Sequence, residues 1–237
     1  MNSKTQELHI TIQHIPTCPE HSVGRRRLLQ MAMGLGVLSM SGSWRLASAQ
    51  QRAMPTPDQI LGPFYPVQKP VDGGNDFTRL QGRAAAQGEI IYVMGRVQNM
   101  QGEPVREAQL EIWQANAVGR YMHPTDRNPA PLDPNFEGYG IVRTDSEGRY
   151  RFKTVKPGSY PVSADYTRPP HIHFDVQGKF NRLVTQMYFP DEPLNDKDFL
   201  LQQSWAKDRL LAKVLPPTAQ DEPQSRLVVW DIVLIQG

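Results

Sequence analysis

The sequence predicts an all-β protein: a β-sandwich core with long functional loops, an irregular amino-terminal arm and one or two short helices. Segments rich in β-branched and aromatic residues recur from about residue 90 to the carboxyl end. Turn signals such as "DSEG" at 145–148 and "KPGS" at 156–159 separate these segments. We therefore interpret most of the chain as a series of short strands that form a sandwich.

The first 49 residues are predicted to be a cleavable export signal. The basic stretch "RRRLLQ" at 25–30 precedes the modestly apolar run "MAMGLGVLSM", and "ASA" at 47–49 is a small-x-small cleavage pattern. The paired arginines followed by two leucines favour the twin-arginine type, with a Sec signal as the alternative. Because the apolar run is short and interrupted by glycines, a retained membrane helix is not expected. We therefore expect a periplasmic or secreted protein with no membrane span after cleavage.

Removal of this segment leaves 188 of the 237 residues, which fits one domain with a sizeable core. The only cysteine, Cys18, lies in the predicted signal, so the mature chain can form no disulfide. Its 21 lysines and arginines nearly balance its 22 aspartates and glutamates, so charge gives no reason to expect a nucleic-acid partner. Three histidines remain in the mature chain: His123, His171 and His173.

Residues 50–88 are rich in Pro, Gly and Gln and are predicted to form an irregular arm. The β-sandwich domain is then expected over residues 89–237. Its predicted strands are "IIYVMGRV", "AQLEIWQA", "RYRFKTV", "HIHFDV", "LVTQMYF" and "RLVVWDIVLI".

Two segments of the domain depart from this strand pattern. In "WAKDRLLAKV", at 205–214, Leu210, Leu211 and Val214 would form one apolar stripe of a short helix. The Pro-rich connection at 121–139 is longer than a structural link requires. Since long loops that stay ordered are usually functional, we expect this connection to contribute to a site.

The stretch "RPPHIHF" at 168–174 places two histidines one residue apart in a predicted strand. Alternate side chains of a strand share a face, so His171, His173 and Asp175 point one way and the intervening apolar residues point the other way. An exposed edge strand and a metal site both explain this pattern. Thiolate sites are excluded because no cysteine remains. A ferrous site with Asp175 as the third ligand stays open, whereas a cupin site lacks the later histidine that it requires.

Two tyrosines at turn-flanked positions offer a different set of ligands. Tyr121 lies in "NAVGRYMHP" and Tyr160 lies in "KPGSYPV". A phenol has a pKa of about 10, so tyrosine is a poor ligand unless a strongly charged cation favours its ionised form. Ferric iron is such a cation, and it prefers hard anionic oxygen.

The sequence resembles the intradiol ring-cleaving dioxygenases in motifs that occur in one order: "IWQANAVGRYMH", "APLDPNFEGYG", "TDSEGRYRFKTVKPGSYP", "RPPHIHFDVQG", "LVTQMYF" and "WDIVL". Within that family it is most similar to the iron-binding (beta) subunit of protocatechuate 3,4-dioxygenase. The resemblance is close over residues 110–237. The earlier "PTPDQILGPFYP" resembles the family's amino-terminal segment near the substrate pocket.

This resemblance implies an enzyme with one non-haem Fe(3+) per chain, held by Tyr121, Tyr160, His171 and His173. The implied substrates are a catechol and O2, and the ring would open between its two hydroxylated carbons to give a cis,cis-muconate type diacid. Tyr160 would be the ligand that leaves the metal and accepts a proton from the substrate. A homo-oligomer is one expected state of assembly.

The resemblance also implies residues that contact the substrate. Arg168 would stabilise charge on the bound substrate, and Gln186 would lie beside its ring. Both are expected to be catalytic as well as substrate-binding. The arm is expected to contribute Gly62, Pro63 and Phe64 to the pocket.

Two positions depart from the protocatechuate members of the family. Val162 follows "SYP", and Thr167 precedes Arg168, at places where those members carry tryptophan. These smaller side chains predict a wider ring pocket. Protocatechuate, catechol, hydroxyquinol and substituted or lignin-derived catechols therefore all stay open as substrates.

Two other functions are compatible with parts of the sequence. One is an extracellular β-sandwich binding module of the transthyretin-like or carboxypeptidase-regulatory-like kind, without catalysis. The other is a ferrous cupin-type dioxygenase. His123 follows Tyr121 by two residues and could orient a loop carboxylate such as Asp126, but a surface position explains it equally well, so it is left out of the predicted site.

Overall fold

The computed structural model describes residues 52–69, 74–80 and 82–237, and the predicted export signal lies outside them. No helix among these residues is long and apolar enough to cross a membrane. The described chain is built from eleven strands and one four-residue α-helix. They are β1 (Ile90–Asn99), β2 (Gln109–Trp113), β3 (Tyr139–Arg143), β4 (Arg149–Val155), β5 (Tyr160–Pro161), β6 (Thr167–Arg168), β7 (His171–Gln177), β8 (Arg182–Tyr188), α1 (Phe199–Gln202), β9 (Lys213–Leu215), β10 (Arg226–Val229) and β11 (Ile232–Leu234).

Two sheets form the sandwich that the sequence predicts. In the larger sheet, β1 pairs in parallel with β10 and β11 and antiparallel with β4, and β9 pairs with β10. The smaller sheet contains antiparallel strands in the order β3-β2-β7-β8. Phe152 of the larger sheet and Phe174 of the smaller one have ring centroids 6.1 Å apart. The inner faces of the two sheets therefore share one apolar core. Strands β5 and β6 form a separate two-stranded ribbon.

Strand β7 separates the core from the site. Its residues Ile172, Phe174 and Val176 are fully buried between the sheets, as their alternation predicts. His171 and His173 are buried as well, on the other face of the strand. An exposed edge strand is therefore the wrong interpretation of this segment, because β7 pairs with β2 on one side and β8 on the other.

The helix predicted at 205–214 is wrong. Lys207–Arg209 form a single 3-10 turn, and Lys213–Leu215 form β9. Leu210 is buried whereas Val214 is exposed, so the apolar residues do not share one face. The backbone polar groups of β9 pair with β10, and this tertiary pairing outweighs a short helical pattern. The α-helix lies earlier, in α1.

The arm is fixed to the sandwich by its backbone. The N–H of Thr56 donates to the carbonyl oxygen of Val233 at 3.0 Å, and the N–H of Gln59 donates to that of Val184 at 2.8 Å. Residues 52–69 contain no strand. These hydrogen bonds tie the arm to β11 of the larger sheet and to β8, the edge strand of the smaller sheet.

Candidate metal centre and substrate cavity

Four ring side chains from three parts of the chain form a buried cluster at the polar face of β7. Tyr121 comes from the loop between β2 and β3, Tyr160 from β5, and His171 and His173 from β7. The ring centroids of the two tyrosines are 5.3 Å apart, and those of the two histidines are 4.9 Å apart. The Tyr160 and His171 rings are 5.6 Å apart, and the Tyr121 and His173 rings are 6.2 Å apart. The structure thus brings the four sequence-predicted ligands together.

Gly119 allows the two tyrosine-bearing loops to touch. Its φ is +80°, and a Cβ at this position would lie 2.0 Å from the carbonyl oxygen of Ser159. Only glycine combines this backbone conformation with so close an approach. The buried carboxylate of Asp126 then accepts the backbone N–H of Tyr121 at 2.7 Å. Both contacts fix the loop from which the Tyr121 ring enters the cluster.

The phenol of Tyr121 is buried and its oxygen has no hydrogen-bond partner among the described residues. An unpartnered buried hydroxyl costs about 1–3 kcal/mol, so it calls for an explanation. Burial raises the pKa of Tyr121 well above its ordinary value, and the nearby Tyr160 adds a smaller effect in the same direction. Burial also raises the pKa of Tyr160, although the Arg168 charge opposes this rise. A multivalent cation beside the two oxygens would reverse this balance and ionise the phenols.

Both histidines of the cluster are held as neutral rings. The Nδ1–H of His171 donates to the carbonyl oxygen of Pro169 at 2.7 Å, which leaves the lone pair on Nε2. The Trp113 ring stacks on His173, with centroids 4.8 Å apart and planes 9° from parallel. Burial and then the Arg168 charge lower the pKa of both imidazoles well below the usual value. Neutral imidazole is the form that binds metal ions.

Gly62 lets the arm approach this cluster closely. Its φ is +77°, and a Cβ there would lie 3.1 Å from Cε1 of His173. The neighbouring Phe64 ring lies 4.7 Å from the Tyr121 ring and 5.8 Å from the Tyr160 ring. The arm therefore covers the cluster with an apolar side chain.

These residues fit one ferric ion. The Tyr121 oxygen and the His173 Nδ1 are buried polar atoms with no hydrogen-bond partner in the described part of the chain, and the set contains two phenols and two neutral imidazoles. Phenolate oxygen is a hard anionic donor that suits a trivalent cation, and imidazole suits iron as well. Tyr121, Tyr160, His171 and His173 are the residues that would hold the ion.

Arg168 lies beside the cluster and is almost completely buried. Its Nη1 donates to Nε2 of His171 at 3.1 Å, and its Nη2 donates to Oε1 of Gln186 at 3.0 Å and to the Tyr188 hydroxyl at 2.7 Å. Burial alone would lower the pKa of Arg168, but the nearby Tyr188 and the hydrogen bond to Asp198 outweigh it and raise the pKa above its ordinary value. The guanidinium therefore keeps its positive charge inside the protein.

Asp198 supplies the counter-ion of Arg168. Its side chain is fully buried and accepts from the Arg168 Nε at 2.9 Å. It also accepts from the Tyr166 hydroxyl at 3.0 Å and from the backbone N–H of Leu201 at 2.8 Å, which caps α1. One carboxylate thus joins the arginine, the β5–β6 ribbon and the short helix.

Gln186 is oriented from both ends. Its Oε1 accepts from Arg168, and its Nε2 donates to the carbonyl oxygen of Ile60 in the arm at 2.9 Å. The pairing of β7 with β8 sets Gln186 directly opposite His173. Directly paired residues lie on the same face of a sheet, so this register brings the glutamine to the cluster.

A cavity of about 530 Å³ opens beside the cluster. Its lining includes the predicted residues Gly62, Pro63, Phe64, Tyr160 and Arg168. Tyr121 lines a second cavity on the other side of Phe64 instead. Of the two tyrosines, Tyr160 is the one that faces the cavity shared with Arg168.

Two residues considered from the sequence do not join the site. Asp175 accepts from Nε and Nη2 of Arg182 at 2.8 and 2.7 Å, so its carboxylate is paired with this arginine and is not part of the four-ring cluster. The imidazole of His123 bonds to the Thr125 hydroxyl at 2.9 Å rather than to the carboxylate of Asp126.

Three residues of the site were not predicted. Trp113 pairs with His173 across β2 and β7, and Tyr188 pairs with His171 across β7 and β8. Knowledge of the strand register would have found both. Asp198 lies in a polar loop and gives no local signal in the sequence.

Comparison with known proteins identifies the family. A family model described as a dioxygenase matches residues 60–236. The chain is 50% identical over 153 residues to the protocatechuate 3,4-dioxygenase beta chain of Burkholderia cepacia, which covers 62% of this chain and 65% of the relative. It is 32% identical over 169 residues to the catechol 1,2-dioxygenase of Candida albicans, covering 65% of this chain and 53% of the relative. The chain therefore spans between half and two thirds of the length of these relatives.

Solved structures agree with this result. The dioxygenase domain of a dioxygenase carbohydrate-binding protein fusion from Streptomyces sp. SirexAA-E has a TM-score of 0.58 and is 28% identical, with 78% of this chain and all of that chain covered. The catechol 1,2-dioxygenase of Pseudomonas arvilla C-1 has a TM-score of 0.59 at 25% identity, covering 77% of this chain and 62% of that one. By sequence, motif order and fold, the chain belongs to the intradiol ring-cleaving dioxygenase family.

Proposed function

We propose that the protein is a non-haem Fe(III) dioxygenase that opens a catechol ring between its two hydroxylated carbons with O2 and yields a cis,cis-muconate type diacid. The observation that carries this proposal is the buried cluster of two tyrosines and two histidines beside a cavity with a buried arginine. The names of the relatives, which include protocatechuate, catechol and hydroxyquinol dioxygenases, support the same chemistry.

Bound ferric iron would supply the acidity that lets a catechol bind as a dianion and the electron acceptance that makes its ring reactive toward O2. The donor set supports iron rather than zinc, because two phenols are unusual ligands for a divalent borderline cation. The remaining tasks fall to the side chains around the cavity.

Tyr160 is the residue best placed to accept a proton from the substrate. It lines the cavity, whereas Tyr121 does not. Burial raises the pKa of its phenol above the ordinary value, so its phenolate is a strong base. A base must lie within hydrogen-bond reach of the proton that it takes, and a diol bound against Tyr160 in this cavity would meet that condition.

Arg168 stabilises negative charge on the bound diol. Its guanidinium is buried, remains charged and is oriented by Asp198, Gln186 and Tyr188 before any substrate arrives. A preorganised charge in a dry site is worth about 3–4 kcal/mol to the transition state. The Phe64 ring packs on Tyr121 of the cluster, and an apolar cover of this kind would strengthen the interaction by limiting the access of water.

The two other functions receive less support. A binding module without catalysis does not explain why a phenol, an imidazole and a guanidinium are buried together. A cupin-type ferrous enzyme would need a carboxylate or a third histidine, and the four rings offer neither.

Oxygen uptake with product identification tests the proposal. The iron-loaded protein is supplied with catechol, 3,4-dihydroxybenzoate and 1,2,4-trihydroxybenzene, and the products are identified by mass. We expect one O2 consumed per catechol and a diacid product. A yellow semialdehyde from cleavage beside the diol, or no uptake with any of the three, would contradict it.

A further inference from the structure

The cavity beside Tyr160 and Arg168 is larger than one catechol ring requires. Its volume of about 530 Å³ falls among pockets that take drug-sized ligands. Catechol itself has only eight non-hydrogen atoms. Space therefore remains for a substituent on the ring.

Three apolar side chains line this cavity and are at least half exposed to solvent; we refer to them as the apolar wall. They are Ile60, Val162 and Phe199, with exposed fractions of 51%, 56% and 50%. They come from the arm, the β5–β6 connection and α1, so three separate segments converge. Exposed apolar side chains grouped around a cavity mark a binding surface.

The apolar wall is held by its backbone and neighbours. The N–H of Val162 donates to the carbonyl oxygen of Tyr166 at 2.8 Å. The Tyr166 and Phe199 rings lie 5.5 Å apart, and the carbonyl oxygen of Ile60 accepts from Gln186. A wall that is ordered before the ligand arrives loses little conformational entropy on binding.

Two of the three charged residues that line the cavity already have partners of opposite charge. Asp126 is paired with Arg120 and with backbone N–H groups, and Arg168 is paired with Asp198. Arg127 is exposed and has no ion pair among the described residues. It is the one charged lining residue left to attract an acidic substituent, so the test must compare acidic and apolar substituents.

We propose that this site is built for catechols that carry a bulky apolar substituent, with the substituent on the apolar wall and the diol at the four-ring cluster. Val162 determines this specificity, because its small side chain leaves open the space that a larger residue would fill. The inference rests on the proposed ring-cleaving function and specifies its substrate class.

The test compares kcat/KM from oxygen uptake for catechol, 4-methylcatechol, 4-phenylcatechol and 3,4-dihydroxybenzoate. Each methylene-sized group that the wall buries should raise kcat/KM about threefold to fourfold. We expect the ratio of 4-phenylcatechol to catechol to exceed about tenfold. Val162→Asp should reduce this ratio about tenfold by placing a charge on the wall, and Val162→Trp should reduce it by filling the space.

The matched control is Val118→Asp. Val118 is similarly exposed, at 51%, and does not line the cavity. The Val118→Asp variant should leave the kcat/KM ratio of 4-phenylcatechol to catechol unchanged. A second readout needs no turnover: calorimetric titration of the metal-free protein should show tighter binding of 4-phenylphenol than of phenol, and Val162→Asp should remove the difference.

Equal kcat/KM for catechol and 4-phenylcatechol would overturn this substrate class and leave ring cleavage intact. Faster turnover of 3,4-dihydroxybenzoate than of 4-phenylcatechol would also overturn it, in favour of an acidic substituent at Arg127. A stable dimer in solution that protects Val162 from solvent would also overturn the proposed substrate class. No oxygen uptake with any catechol would overturn the proposed function as well.

Discussion

Arg168 donates two hydrogen bonds to the carboxylate of Asp198, from Nε at 2.9 Å and from Nη2 at 3.3 Å, and both side chains are buried. The same guanidinium also donates to His171 and Gln186. This one ion pair therefore links the helix at the cavity wall to the candidate metal cluster. Removal of either partner leaves a buried charge without its counter-ion, which is far more costly than the loss of a surface pair.

Asp198→Asn should lower both stability and turnover. We expect the free energy of unfolding to fall by about 3–5 kcal/mol, and kcat to fall about 100-fold because Arg168 loses its orientation. Denaturant unfolding and oxygen uptake measure the two effects. Glu147→Gln is the control, since Glu147 pairs with Arg96 at 3.8 Å on the surface, and it should change neither quantity. Wild-type kcat in the Asp198 variant would argue against a positioning role.

Arg168→Lys should fail to replace the arginine although it keeps the charge. The guanidinium serves Asp198, Gln186 and Tyr188 at once, and an ammonium group has too few donors in the wrong geometry. We expect kcat/KM for the best catechol to drop about 100-fold, which matches the loss of about 3 kcal/mol of electrostatic stabilisation. Steady-state kinetics with the folded, iron-loaded variant measure it. A drop of less than about threefold would remove Arg168 from the proposed mechanism.

Tyr121→Phe should separate stability from metal binding. Its hydroxyl is buried without a partner, so its removal should leave the metal-free protein equally stable or slightly more stable. Iron binding should nevertheless be weakened, because one anionic oxygen ligand is removed. Tyr150→Phe is the matched control, because the buried Tyr150 hydroxyl donates to the carbonyl oxygen of Trp230 at 2.6 Å. Tyr150→Phe should lower the free energy of unfolding by about 1 kcal/mol and leave iron binding unchanged. Denaturant unfolding and iron analysis of both variants are the measurements.

The metal-free protein should lose stability as the solution becomes acidic. Burial and the Arg168 charge hold the pKa of His171 and His173 well below the usual 6.5 in the folded chain. Below pH 6.5 the unfolded chain binds protons that the folded chain does not, so the free energy of unfolding falls as pH decreases and is constant above that value. The slope should approach about 1.4 kcal/mol per pH unit for each histidine.

Urea unfolding of the metal-free protein at pH 7.5, 6.5 and 5.5 measures this slope. His123→Gln is the control, because the His123 ring lies outside the cluster and its hydrogen bonds within the described ranges go to Thr125. The free energy of unfolding of this variant should change with pH as it does in the unchanged chain. A flat profile in the unchanged chain would mean that the two imidazoles are not buried as neutral rings.

The alternation in 171–177 is enough to predict which side chains of β7 face the core, because a strand with one apolar face has only one register that buries it. The four candidate ligands Tyr121, Tyr160, His171 and His173 were predicted from the family resemblance, because the alternation of polar residues alone left an exposed edge strand and a ferrous site open. Asp198 could not be found this way. It lies thirty residues from Arg168 in sequence, and only the folded chain brings the two together.

The segment at 205–214 shows where a local sequence pattern gives a wrong prediction. Three apolar residues over five positions satisfy a helical pattern, but such a short run is equally compatible with a turn followed by a strand. The pairing of β9 with β10 decides the outcome, and this pairing depends on a segment that follows later in the chain. Local pattern alone therefore cannot place the short helix of this protein.

The visible absorption spectrum of the iron-loaded protein, compared with those of its Tyr121→Phe and Tyr160→Phe variants, tests the central claim most directly. Two phenolates on ferric iron should give a red-brown protein through tyrosinate-to-iron charge transfer, and each substitution should weaken or shift that band. A colourless iron-loaded protein, or a band that neither substitution changes, would contradict an iron site built from these two tyrosines.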